Sequence, residues 1–205
     1  MLIVSCNIRG NKECAKNLVA KVKDIDPDIV IIQGSNEYIV EYVMTLFKKI
    51  NKTCKRCNTG VLYMVSSEYL DCSIEYLKFA MSNGVLFFKL PNGLGIFSSL
   101  LPNGGESNVA RRNQINEICN ILINYEHQSI FMGDLSLPNW QKIEMPKGIY
   151  DAYLEIGTES HEYTFGDERP DRCFYTSCSE NDLTCKELLV YPVYENICMI
   201  SALFE

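Results

Sequence analysis

Apolar residues along this chain fall into short runs that alternate between two periods. Leu2 to Ile8 is an almost continuous apolar run and predicts a buried strand, after which Asn11 to Lys23 sets Cys14, Leu18, Val19 and Val22 at helical spacing. Pro27 ends that helix. Asp28 to Gln33, with IVII at its centre, reads as a strand covered on both faces, and Asn36 to Ile50 as a second helix. The middle of the chain is strand-rich. Gly60 to Val65, Cys72 to Phe79, Val85 to Leu90 and Leu94 to Ser98 are separated by Ser66-Ser67-Glu68, Ser82-Asn83-Gly84 and Pro91-Asn92-Gly93, the last a hairpin signal. A polar loop, Pro102 to Asn108, leads into a long helix ending near Asn124, with Ile115, Ile118, Cys119 and Leu122 on one face. Ser129 to Met132 is a strand that runs into Gly133-Asp134. A looped region with Trp140 follows, then a short helix over Tyr150 to Glu155 and strands over Arg172 to Thr176, Glu187 to Tyr191 and Ile197 to Phe204.

Strand and helix alternate at both ends around this strand-rich centre, with no repeat and no composition break in the sequence. The expected fold class is α/β: two packed, mostly antiparallel β-sheets flanked by helices, a four-layer α/β sandwich formed by residues 1–205 as one domain. With 205 residues, 47% of them hydrophobic, the chain can bury a core of that size.

Composition narrows the classes of function. No apolar run approaches the roughly 20 residues that span a bilayer, and MLIVSCN passes straight into a strand without a basic lead, so the expectation is a cytoplasmic protein with no membrane partner. In that setting the ten cysteines read as reduced thiols used as small hydrophobes. Cys54-Lys-Arg-Cys57 is a CxxC, but no second pair at metal-ligand spacing accompanies it. The net charge of -7 disfavours broad attraction to nucleic acid. Lys48, Lys49, Lys52, Lys55 and Arg56 form a local basic patch, which reads either as a solvated helix end and loop or as a nucleic-acid contact.

A series of polar residues placed after predicted strands carries the candidate chemistry: Asn7 in SCNIRG, Gln33-Gly34, Ser98-Ser99-Leu100, Arg111-x-x-Gln114, Gly133-Asp134-Leu135-Ser136, Asp151-Ala-Tyr153, Tyr163-Thr164-Phe165 and Arg169-Pro-Asp171-Arg172-Cys-Phe174. In order and spacing the series resembles the endonuclease/exonuclease/phosphatase superfamily, DNase I-like in fold, and within it the tyrosyl-DNA phosphodiesterase branch. The resemblance implies that Asn7 would hold phosphate and Asp134 would orient water. Asp171, in the last of the matching blocks, joins Asn7 and Asp134 as a candidate catalytic residue, and Arg111, Gln114, Ser99, Ser136 and His161 are candidate substrate contacts. It also exposes departures. Gly34 stands where the family has a magnesium-binding Glu, Ser99 where it has His, and Ser136 where it has Asn. The closing Ser-Asp-His aligns with Val193, Tyr194 and Glu195, and no His follows His161.

These departures fall on metal binding, phosphate contact and proton transfer together, each worth orders of magnitude in rate. The expectation is therefore a catalytically inactive phosphodiesterase-like domain without a cofactor, acting through a protein or nucleic-acid partner. The alternative is an active magnesium-dependent phosphodiesterase with relocated ligands, Glu37 or Asp171 holding the metal. Glu37 follows Gly34 by three residues, and an acidic residue there is also favoured simply by the start of the next helix.

Overall fold

A computed structural model describes residues 1–57, 62–66, 69, 72–77, 85–100, 108–136, 144–156, 164–165, 170–177 and 183–205. The elements in chain order are β1 (Leu2–Asn7), α1 (Lys12–Ile25), β2 (Ile29–Gln33), α2 (Glu37–Lys49), β3 (Cys54–Arg56), β4 (Leu62–Val65), β5 (Ser73–Leu77), β6 (Val85–Lys89), β7 (Gly95–Ser98), α3 (Asn108–Asn124), β8 (Ser129–Asp134), β9 (Ile149–Asp151), α4 (Ala152–Ile156), β10 (Asp171–Thr176), β11 (Cys185–Tyr194) and β12 (Ile197–Phe204).

The strands form two six-stranded mixed sheets, ordered β11-β12-β1-β2-β4-β3 and β5-β6-β7-β8-β10-β9. Within each sheet only the central pair is parallel, β1 with β2 and β7 with β8, and a helix, α1 or α3, joins the two strands of that pair. The two sheets thus repeat one arrangement that the sequence does not advertise.

The unbroken apolar runs now have a cause. Side chains of a strand alternate between faces, and here both faces are covered. Ile3, Ile29, Ile31, Ile130 and Met132 point into the core between the sheets. Their neighbours Val4, Cys6, Val30 and Ile32 pack outward under α1 and α2 with Leu18, Val22, Val43 and Phe47. Phe131 does the same on the other sheet, beneath Ile115, Ile118 and Leu122 of α3. The result is four layers: helices, sheet, sheet, helix. Helix α4 departs from this plan, since Ala152 joins the core between the sheets.

Two local readings change. Tyr150 does not begin a helix: Ile149–Asp151 pairs with β10 as the outer strand β9, and the helix starts at Ala152. Lys55 and Arg56 do not lie in a loop, because Cys54–Arg56 pairs antiparallel with β4 as an outer strand. In both cases a three-residue strand is too short for alternation to show.

Helix ends follow from short polar residues. The Asn11 side chain accepts the Cys14 N–H at 2.9 Å, and α1 stops with Asp26 in the left-handed region (φ 44°), immediately before Pro27. Asn11→Ala is expected to lower stability by about 1 kcal/mol in urea unfolding. An unchanged midpoint and slope would show that the cap contributes nothing.

Candidate functional site

The parallel pairs point their C-terminal ends the same way, so the last residues of β1, β2, β7 and β8 meet. Such ends are where open α/β sheets gather polar groups. Gln33 closes β2 opposite Asn7 of β1, and its Nε2 donates to Ser5 Oγ (2.8 Å) and to Ser98 Oγ (3.1 Å) of the other sheet. Among the described residues, Gln33 Oε1 is buried with no hydrogen-bond partner. Asn7 Nδ2 donates to Asp134 Oδ2 at 2.6 Å, again from sheet to sheet.

Asp134 is completely buried and its carboxylate is enclosed by donors of the chain itself. Oδ2 accepts from Asn7 and, at 3.4 Å, from Arg9 Nη2. Oδ1 accepts the Ser136 backbone N–H at 2.6 Å and the Ser136 hydroxyl at 3.2 Å. Ser136, in the left-handed region (φ 48°), folds back over the aspartate, so its hydroxyl is turned inward. Arg9 also stacks its guanidinium on the Phe165 ring, 3.7 Å from the centroid. Arg9 was not among the residues singled out from the sequence. Its only signal there is a cation two residues after Asn7.

Gly34 has φ +68°, and its backbone closes against the β1 loop: Gly10 N–H donates to Gly34 O at 2.7 Å. A Cβ at this position would fall on Asn7 Oδ1, the atom that accepts the Arg9 N–H, and would lie 3.0 Å from Arg9 N. The position therefore has neither a carboxylate nor the room for one.

Asp171 sits across from Asp134 in the β10–β8 register and is likewise buried, with Oδ1 lacking a partner among the described residues. Burial pushes its carboxyl up to about 8, and the facing Asp134 adds to the rise. The Thr164 hydroxyl and Arg9 pull the other way. Its backbone N–H donates to Thr164 Oγ1 at 3.3 Å. Nearby, Arg172 and Asp151 form a buried ion pair at 3.5 Å between β10 and β9.

The remaining predicted residues divide between support and periphery. Arg111 Nη1 donates to Leu135 O at 2.9 Å, tying α3 to the turn after β8, and Gln114 lies buried on the same helix. Ser99 is buried, with its backbone against Gly133 where a side chain would collide with it. Glu37 is not brought to the cluster: it is 90% exposed in the first turn of α2, with Arg56 Nη2 3.9 Å from its carboxylate. Tyr194 ends β11 and Glu195 (φ 44°) lies in the turn to β12, where its carboxylate hydrogen-bonds the Tyr194 hydroxyl and raises that group. His161, Tyr163, Arg169 and Trp140 lie outside the described residues. Of the CxxC pair, Cys54 is buried, and burial pushes its thiol up to about 12, the opposite of a reactive or metal-ready thiolate.

The described residues do not fit a carboxylate-held magnesium ion. Among them no three His, Cys, Asp or Glu side chains are grouped to hold a metal, Asp134 has its oxygens taken by donors, and Gly34 has no space for a ligand.

This architecture is the endonuclease/exonuclease/phosphatase fold. Among solved structures, the chain is similar to D. rerio TDP2 complexed with a single-strand DNA product, with a TM-score of 0.84 at 18% identity, covering 100% of this chain and 98% of that one. It is also similar to TDP2 from C. elegans (TM-score 0.76, 18% identity, 99% and 74% covered) and to an AP endonuclease from Archaeoglobus fulgidus (TM-score 0.72, 13% identity, 100% and 99% covered). No protein-family model and no curated protein sequence matches the chain. Among the described residues, no helix is long and apolar enough to cross a membrane.

Proposed function

We propose that this chain is a non-catalytic member of the fold and acts by binding a protein or nucleic-acid partner. The observation that carries the reading is the state of Asp134. A water-orienting carboxylate must face a water beside the scissile phosphate. Asp134 is instead fully buried and accepts hydrogen bonds from Asn7, Arg9 and Ser136. Arg9 supplies the positive charge that a metal would bring to an active relative, and it does so permanently. Nucleic acid enters as a partner class because one similar structure holds single-strand DNA.

The test is cleavage of a 5′-phosphotyrosyl oligonucleotide and of a simple phosphodiester, with magnesium. Rates equal to background, and equal again in Asp134→Ala, are expected. Magnesium-dependent turnover that disappears in Asp134→Ala would replace this reading with that of a working phosphodiesterase. Magnesium should also leave the melting temperature unchanged, since an ion bound only by the folded state would raise it.

A further inference from the structure

We infer that the outer edge of β3 docks an acidic peptide of a partner protein, which adds to the first sheet as an extended strand. Among the described residues, β3 ends that sheet, paired with β4 on one side only. Backbone N–H and C=O groups along such an edge are a template for strand addition. The edge is also strongly cationic. Lys48 and Lys49 close α2, Lys52 follows, and Lys55 and Arg56 belong to β3 itself. Lys52 pairs with Asp26 and Arg56 lies near Glu37. Lys48, Lys49 and Lys55 are exposed, and no ion pair among the described residues holds them.

The other outer strands differ. β5 carries Glu75, β9 has as its one charged residue Asp151, which is buried against Arg172, and in β11 Lys186 is followed by Glu187. In a chain of net charge -7, β3 is thus the edge that selects a partner by sign. Lysines on an edge repel a second copy of the same strand, whereas an acidic strand satisfies the backbone and the cations together. Nucleic acid fits less well. It has no use for a strand-pairing backbone, and the exposed Tyr38 ring of the adjoining helix, where a base could stack, is engaged by Lys12 at the end of that helix away from Lys48 and Lys49. The edge is separate from the Asn7–Asp134 cluster, so the inference holds whether or not that cluster turns over substrate.

The probe is a fluorescent ten-residue peptide of alternating Glu and Val, with two versions N-methylated at alternate residues in opposite registers, and a single-stranded oligonucleotide of similar charge. Measured by anisotropy, the peptide should bind, and the combined Lys48→Glu, Lys49→Glu and Lys55→Glu variant should bind it at least tenfold more weakly while unfolding at the wild-type urea midpoint. At least one methylated peptide, its charge intact but one edge blocked, should also bind tenfold more weakly. Three results would overturn the inference: equal binding of all three peptides, which means charge alone; unchanged binding by the variant; or tighter, variant-sensitive binding of the oligonucleotide, which assigns the edge to nucleic acid. Cleavage rates do not depend on this edge, so failure here leaves the proposed non-catalytic reading untouched.

Discussion

Gly34→Glu, the substitution that puts back the missing carboxylate, is expected to destabilise the protein and to produce no magnesium-dependent cleavage. Two costs arise at one position. A non-glycine residue at φ +68° carries left-handed strain of about 1–3 kcal/mol. Its Cβ also needs the place of Asn7 Oδ1, so Asn7 must leave Asp134, and a hydrogen bond to a buried carboxylate contributes about 1.5–3 kcal/mol. A combined loss of about 3 kcal/mol or more should lower the melting temperature of a chain this size by roughly 6–12 °C. Gly34→Ala separates the causes, since it brings the strain and the Cβ without the charge and should show most of the loss. If Gly34→Ala melts with the wild type, or if Gly34→Glu gains cleavage, the closed form of this loop is wrong.

The second large effect concerns pH. The carboxyl of Asp171 is raised from 3.8 to about 8 in the folded protein, so between those values the unfolded chain has released this proton and the folded chain has kept it. The folded state then binds more protons, and stability must fall as pH rises, by on the order of 1.4 kcal/mol per pH unit from this group alone. The penalty is absent below pH 4, grows through neutrality and levels off above about pH 8. Asp171→Asn removes the titration while keeping the size of the side chain. It should be more stable than the wild type at pH 8 by roughly 3–5 kcal/mol, and nearly equal to it near pH 4. Urea unfolding across that range decides the matter: parallel pH profiles for the two proteins would show that Asp171 ionises normally.

The sequence carried the fold through the ends of its strands. Asn7, Gln33, Ser98 and Asp134 each follow an apolar run, and both sheets could be expected from those runs together with the hairpin signals between them. β3 and β9 were hidden because three residues show no period, and because Lys55 and Arg56 look the same in a loop as on an edge. That Gly34 offers no carboxylate was legible, since a missing side chain is visible in the letters. Its closure was not, because that depends on where Asn7 points. Arg9 was missed for a similar reason. Its role rests on Phe165, more than 150 residues away in the chain, and on Asp134 in the other sheet.

The pairing of Asn7 with Asp134 and of Gln33 with Ser98 has one more outcome. Each bond crosses from one six-stranded half of the molecule to the other, at matching places in two halves built alike. Apolar packing between the halves has little directional preference, whereas these polar contacts act as dowels that fix their alignment. With or without chemistry, a chain of this fold would lose registration of its halves if it lacked these side chains. Asn7 and Asp134 can therefore endure as joinery, and in a chain of this fold their survival is no measure of turnover.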